Sequence, residues 1–159
     1  MRRILFYVLI CAWPHMAYAL NADDLLNHSS RQLPDDCVSK SSGLLPDIQN
    51  KRYAVEYIEC HDDKYFLLER KNPTSSNKPN SEIFYVKSLV IREGEDFIQY
   101  PFCSDKENAN STVFAVGQWE MPDKYQATVD IRKAWILNRE TLSLDEIPKE
   151  RVECGSDGW

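Results

Sequence analysis

Residues 112–154 read TVFAVGQWEMPDKYQATVDIRKAWILNRETLSLDEIPKERVEC, and this stretch decides the fold. It opens with the apolar run 113–119, and a longer alternating run follows a turn-like Met-Pro-Asp-Lys. A second polar turn, Asn-Arg-Glu-Thr, precedes a short run that ends at Leu144. Runs of β-branched and aromatic residues separated by turn residues are typical of strands joined in sequence. The stretch therefore predicts a β-meander that a disulfide at Cys154 clamps at its end.

The longer run, residues 125–137, alternates between apolar and polar side chains. The apolar residues of one parity are Val129, Ile131, Trp135 and Leu137, and the polar residues of the other are Thr128, Asp130 and Arg132. This pattern is typical of a strand with one wet face. Ile131, Ala134 and Trp135 also fit helical spacing, but the β-branched residues in the run favour the strand.

Two shorter runs upstream predict a hairpin. Residues 53–60 and 64–71 are rich in aromatic and aliphatic side chains, and the polar triplet His61-Asp62-Asp63 separates them. Polar residues between two such runs predict a tight turn. The polar stretch 72–81 that follows contains Pro73 and Pro79, which predicts an exposed loop.

Residues 83–92 form the longest upstream run. Its expected apolar face carries Ile83, Tyr85, Leu89 and Ile91. Lys87 interrupts this face, which favours an edge or a sheet rim. The short run 97–103 carries Pro101 near its end, and this residue also favours an edge position.

The N-terminal part of the mature chain differs from the rest. Asn21 can cap a short helix that Pro34 stops, and the polar stretches 35–47 and 105–111 predict loops. The predicted fold is mainly β, with an α+β character at the N-terminus. It is an antiparallel meander or sandwich, or a partly open barrel, with one short helix and two disulfides.

The first 19 residues have the features of a secretory signal. Arg2 and Arg3 form a basic start, residues 4–13 are an uncharged apolar core, and Ala17-Tyr18-Ala19 fits signal peptidase. Cleavage after Ala19 would leave residues 20–159 as one β-rich domain, periplasmic or secreted. Lipid attachment at Cys11 is disfavoured by the preceding Ile10. No second apolar stretch has the length of a membrane span.

The charge of the chain is acidic. The full sequence carries a formal net charge of −6, and loss of the two arginines of the signal brings it to −8. A nucleic-acid binder needs clustered Lys and Arg to meet phosphates, so this class is disfavoured. A basic protein is a plausible partner because opposite charges speed encounter. Solubility alone is the competing explanation of the charge.

Four cysteines remain after cleavage. An even number in an exported chain predicts two disulfides, for which the sequence allows three pairings. We favour Cys37 with Cys60 and Cys103 with Cys154, because each pair closes an uninterrupted segment. Each should stabilise the fold by about 3–4 kcal/mol. No two cysteines have zinc-ligand spacing, so metal is disfavoured. A catalytic thiol would need an unpaired cysteine, and neighbours such as Cys60 and His61 on a strand point to opposite faces.

The functional prediction rests on the export signal, the two expected disulfides, the acidic charge and the lack of catalytic motifs. The sequence has no Gly-x-Ser-x-Gly, no His-Glu-x-x-His and no phosphate-binding glycine loop, and no cofactor is predicted. We therefore expect a non-enzymatic protein that neutralises a basic partner, as an immunity protein or an inhibitor does. The expected contact residues are Asp62, Asp63, Glu93, Glu95, Asp96 and Trp159. The alternatives are an envelope hydrolase that uses His61 and nearby carboxylates, and a structural or assembly factor of the envelope.

Short motifs in the last third of the chain are similar to those of other exported proteins. Residues 113–119, Ala134-Trp135, Glu146-Ile147-Pro148 and Val152-Glu153-Cys154 resemble a group of small exported proteins of Gram-negative bacteria. The resemblance implies an envelope location and a compact disulfide-bonded domain, and it transfers no catalytic residue. Lysozyme-inhibitor barrels are similar in size, export and disulfides. Their Ser-Gly-x-x-Tyr signature is not matched here, because Ser42-Gly43 is followed by Leu-Leu-Pro.

Overall fold

A computed structural model gives the structure of the protein and describes residues 22–26, 33–72, 80–99, 101–121 and 126–157. Several predictions concern residues outside these ranges. They are the signal sequence with its cleavage site, Cys11, the terminal Trp159, most of the predicted loop 72–81 and the turn at 122–124.

The described residues form two antiparallel sheets and little helix. The elements are α1 (Ala22–Leu25), β1 (Cys37–Leu44), β2 (Arg52–Cys60), β3 (Asp63–Asn72), β4 (Asn80–Leu89), β5 (Asp96–Ile98), β6 (Cys103–Asp105), β7 (Val113–Glu120), β8 (Gln126–Asn138), β9 (Ser143–Ile147), a 3₁₀ turn (Lys149–Arg151) and β10 (Val152–Asp157). The first sheet has the order β1-β2-β3-β4. The second has the order β5-β7-β8-β10-β6, with β9 also paired to β8. The prediction of a mainly β, antiparallel fold with one short helix is confirmed.

The main core lies between the two sheets and is built on aromatic rings. Phe66 of the first sheet contacts Phe114 of the second, with ring centroids 5.0 Å apart in an edge-to-face arrangement. Phe97 stacks on Phe114 at 6.0 Å. Trp135 and Leu137 of β8 bury their side chains in the same cluster. Such ring pairs add to the burial of apolar area, so these strands fix the sandwich.

The outer face of each sheet is also partly covered. Leu25 of α1 is buried with Ile58, Leu67 and Ile83 on the outer face of the first sheet. Within the described residues 22–26, the predicted N-terminal helix forms one turn, which lies on this sheet. A further cluster, which includes both Cys103 and Cys154, lies on the second sheet.

The predicted single wet face of β8 is wrong, because the strand contains a bulge. Ile131 pairs with Gly117 and Lys133 pairs with Val116, so Arg132 has no opposite residue. A bulge inserts one residue and exchanges the faces beyond it. Val129 and Ile131 accordingly join the cluster that contains Cys103 and Cys154, whereas Trp135 and Leu137 face the main core. Gly117 is required here, since a Cβ would lie 2.3 Å from the Asp130 carbonyl oxygen.

A second bulge corrects the face assigned to β4. Leu68 pairs with Tyr85 and Glu69 with Ile83, so Phe84 is the extra residue. Ile83 therefore packs on the outer face, and it does not share a face with Tyr85 and Leu89. The predicted edge position is confirmed, because β4 is the last strand of the first sheet.

Two other predicted elements need correction. The predicted loop 35–47 contains the strand β1, whose serines and lysine gave no strand signal but which pairs along its length with β2. The predicted strand 97–103 is two short strands, β5 and β6, separated by a turn at Pro101. Each of the two lies at an edge of the second sheet, as expected for that segment.

Both predicted disulfides are present. Cys37 is bonded to Cys60 and Cys103 to Cys154, and in each pair the two residues lie directly opposite on neighbouring strands. Each bond ties an edge strand, β1 or β6, to its neighbour. Two structural disulfides are typical of proteins in an oxidising compartment. Within the described residues, no helix has the length and apolar character needed to cross a bilayer.

Candidate binding surfaces

Two turns place exposed carboxylates at one end of the sandwich. Lys64, at the start of β3, pairs with Leu89, at the end of β4, so the β2–β3 turn lies beside the β4–β5 connection. The Lys64 ammonium group also donates to the Ile91 carbonyl oxygen at 3.4 Å. The exposed residues of this region, here called the acidic end, are Asp62, Asp63, Glu93 and Asp96.

Several basic groups near the acidic end are held by internal bonds. The guanidinium group of Arg132 binds the Glu95 carboxylate, at 2.5 Å from Nε to Oε1, and it also donates to the Val90 carbonyl oxygen. Lys40 pairs with Glu59 at 2.9 Å. Arg92 adds one exposed positive charge to the connection. The surplus of exposed carboxylates keeps the local charge negative.

Glu95 differs from the other predicted contact residues. Its side chain is 11% exposed, and its second oxygen accepts a hydrogen bond from the Arg92 backbone N–H at 2.8 Å. The hydrogen bond from Arg132, followed by that from Arg92, lowers the pKa of Glu95 to about 2 against the opposing effect of burial. Its carboxylate therefore holds the β4–β5 connection in place, and the neighbouring carboxylates remain available to a partner.

Two tyrosines on opposite faces of the first sheet lie near the acidic end. The Tyr57 hydroxyl donates to the Glu59 carboxylate at 2.7 Å. Burial raises the pKa of Tyr57, and the negative charges of Glu59 and Asp96 raise it further. Burial and the Asp63 carboxylate likewise raise the pKa of Tyr65. A tyrosine hydroxyl is protonated at neutral pH even without these shifts, so both phenols can donate hydrogen bonds there.

His61 is placed in an exposed turn. Its side chain is 63% exposed, and Nδ1 lies 2.9 Å from a carboxylate oxygen of Asp36. Its backbone has a φ of 54°, a left-handed conformation that fits a tight turn. Cys60, the residue before it, is used in the disulfide with Cys37. The predicted neighbours Asp62 and Asp63 are therefore not the carboxylates that pair with this histidine.

A cleft lies on the outer face of the first sheet, at the end away from the Cys37–Cys60 bond. It has a volume of about 300 Å³ and is lined by Ser42, Gly43, Leu44, Ala54, Val55, Glu56, Glu69 and Lys71. Strand pairing explains this set, because Ala54 of β2 lies between Leu44 of β1 and Glu69 of β3. The short side chain of Ala54 leaves the space. We call this feature the carboxylate cleft.

The two carboxyl groups of the cleft lie in a poorly solvated environment. Glu69 is 1% exposed and Glu56 is 8% exposed. Glu69 Oε2 lies 2.6 Å from the Lys71 ammonium group. Burial raises the pKa of Glu56, and the neighbouring Glu69 carboxyl raises it further, whereas the Ser39 hydroxyl and the charge of Lys71 lower it.

The sequence prediction did not include the carboxylate cleft. Glu56 and Glu69 interrupt runs of apolar residues, which was the one available signal. No group of three or more His, Cys, Asp or Glu side chains that could hold a metal ion occurs in the described part of the chain. Comparison of the chain with protein-family models, curated proteins and solved structures finds no match. Function is therefore inferred from the acidic end and the carboxylate cleft themselves.

Proposed function

We propose that the mature chain is a periplasmic, non-enzymatic protein that binds and neutralises a basic partner protein, as an immunity protein or an inhibitor does. The observation that carries this proposal is the acidic end, where Asp62, Asp63, Glu93 and Asp96 are exposed. The internal bonds of Arg132 and Lys40 leave those charges largely uncompensated. A surface of this kind attracts a partner with a complementary basic patch and speeds its encounter.

The scaffold suits a preorganised binder. The turns that present the carboxylates begin and end on paired strands, and one of the two disulfides lies directly before His61. A surface held in one conformation loses little conformational entropy when it binds, which favours affinity. The N-terminal signal-like sequence and the two disulfides support an envelope location.

The test is capture of a partner from an envelope extract on immobilised mature protein. The expected result is retention of a basic protein at low salt and its release at high salt, because rim electrostatics are screened. The variant Asp62→Asn/Glu93→Gln/Asp96→Asn should lose the captured protein. Retention of no protein at low salt would remove the support for this function.

A matched variant controls for net charge. Asp47→Asn/Glu140→Gln/Glu150→Gln removes the same number of charges from exposed positions outside the acidic end. This variant should capture the partner as the wild type does. Equal loss in the two variants would show that total charge and not this surface governs binding.

A further inference from the structure

Glu69 has a buried oxygen atom that lacks a hydrogen-bond partner. Oε2 binds Lys71, but Oε1 has no partner among the described residues, although the side chain is 1% exposed. Buried polar atoms are nearly always hydrogen-bonded, and a buried charged acceptor without a donor is costly. The neighbouring Glu56 carboxyl can donate to Glu69 while it is protonated. Because Glu69 lines the carboxylate cleft, a cationic ligand in the cleft can supply a donor in place of that proton.

The charges of the cleft favour a cationic donor. With both carboxyl groups ionised, Glu56 and Glu69 carry two negative charges against the single positive charge of Lys71. When Glu56 keeps its proton, that proton can be shared with Glu69. A bound cation can take the same place, in which case Glu56 releases its proton. The cleft therefore has room for one additional positive charge.

The walls of the cleft restrict the rest of the ligand. Leu44 and Ala54 are apolar, and Leu44 is 72% exposed at the rim. Methylene groups of a basic side chain pack well on such a surface. No aromatic residue is among the described residues that line the cleft, so they form no stacking platform of the kind that sugars and bases prefer. A metal ion is disfavoured because two carboxylates and an ammonium group form a poor oxygen-ligand set.

We infer that the carboxylate cleft binds a basic side chain of a peptide or protein, with its guanidinium or ammonium group between Glu56 and Glu69 and its methylene groups against Leu44 and Ala54. A guanidinium group fits best, because its several planar donors can serve both carboxylates together. This inference goes beyond the acidic end, which is a separate surface. It names the chemical group that the cleft takes.

The test uses free probes, so its result does not depend on finding the partner. Amide resonances of the ¹⁵N-labelled mature protein are followed during addition of methylguanidinium chloride at constant ionic strength. Saturable shifts are expected at Gly43, Leu44 and Ala54, and a tripeptide with a central arginine should bind at the same place. Acetamide, a neutral N–H donor, should cause no saturable shift.

Two variants test the site in different ways. Glu69→Gln removes the charged acceptor, and Ala54→Leu fills the cleft while it keeps both carboxylates; each should reduce probe affinity at least about tenfold, equivalent to about 1.4 kcal/mol. Glu140→Gln, on the β8–β9 turn, should bind like the wild type. The inference is overturned if methylguanidinium causes no saturable shift near Ala54, if acetamide binds equally well, or if the arginine tripeptide is excluded.

Discussion

Two buried carboxylates, Asp105 and Glu69, have opposite surroundings. The carboxylate of Asp105, on β6, accepts hydrogen bonds from Arg151 Nη2 at 2.7 Å and from the Glu107 backbone N–H at 3.0 Å. The bond from Arg151 and then the backbone bonds lower its pKa, although burial acts against this. In Glu69, on β3, Oε2 binds the Lys71 ammonium group, whereas Oε1 accepts no hydrogen bond from an N–H or ammonium group of the described residues.

The difference separates a structural ion pair from a candidate site. Asp105 and Arg151 bring the 106–111 loop and the 3₁₀ turn together. Glu69 faces a cleft of about 300 Å³. A buried carboxylate whose two oxygens both accept hydrogen bonds from the protein stabilises the fold. A buried carboxylate with one oxygen lacking such a bond is better suited to bind a ligand.

The largest expected effect is the loss of the disulfide near Asp105. Cys103→Ala/Cys154→Ala should lower the free energy of unfolding by about 4 kcal/mol, and Cys37→Ala/Cys60→Ala by about 3.5 kcal/mol, because the first bond closes the longer loop, with separations of 51 and 23 residues. Urea unfolding without reductant measures both values. A larger loss from removal of the Cys37–Cys60 bond would contradict this order.

The next effect concerns Asp105, whose two carboxylate oxygens both accept hydrogen bonds. Asp105→Asn keeps the shape of the side chain but removes charge-assisted bonds to Arg151, so the free energy of unfolding should fall by about 2 kcal/mol. Urea unfolding at neutral pH measures it. A change within about 0.5 kcal/mol, the range of ordinary surface substitutions, would show that the Asp105 pair contributes little.

The matched substitution at Glu69 should lower the free energy of unfolding by less than Asp105→Asn does. Glu69→Gln loses the ion pair with Lys71 but also removes the repulsion between two buried carboxyl groups, so the net change should be below about 1 kcal/mol. The same denaturation experiment applies. If Glu69→Gln destabilises the protein more than Asp105→Asn does, the assignment of structural and binding roles is reversed.

The smallest expected effect is a difference in the pH dependence of stability. The pKa of Asp105 is lowered in the folded state, so its stabilisation is present above its unfolded value near 3.8 and is lost as pH falls through the folded pKa. The pKa of Glu56 is raised, so its stabilisation is complete below 4.5 and is lost as pH rises through the folded pKa. Glu56→Gln should abolish only the loss of unfolding free energy that occurs as pH rises above 4.5, and should leave the loss at low pH unchanged. Urea unfolding at a series of pH values measures this dependence. If wild type and Glu56→Gln show the same dependence above pH 4.5, the raised pKa of Glu56 is refuted.

The sequence predicted the features that depend on local residue pattern. The hairpin around His61, the meander after Thr112 and both cysteine pairings follow from apolar runs, turn residues and uninterrupted segments. These signals are local in the chain, and the structure confirms the hairpin, both disulfides and the meander as far as β9. β10 departs from the meander, because it pairs with β8 and β6 and not with β9. The strand β1 was missed because Ser, Lys and Gly have weak strand propensity, and its position depends on pairing with β2.

Features that depend on strand register could not be predicted. The bulges at Arg132 and Phe84 exchange the two faces of β8 and β4, and residue parity alone gives no sign of them. The carboxylate cleft has the same origin. Glu56 and Glu69 each resemble a polar residue on the wet face of a strand, and only the register of β2 against β3 brings them together.

The contrast between the two buried carboxylates can be measured directly by side-chain ¹³C NMR. The carboxyl resonances of Glu56, Glu69 and Asp105 are titrated with pH, once in sodium chloride and once in methylguanidinium chloride at equal ionic strength. The bound cation should lower the titration midpoint of Glu56 and shift the Glu69 resonance, while Asp105 titrates identically in both salts. Identical Glu56 and Glu69 curves in the two salts, or equal changes at all three residues, would contradict an open carboxylate site on the first sheet.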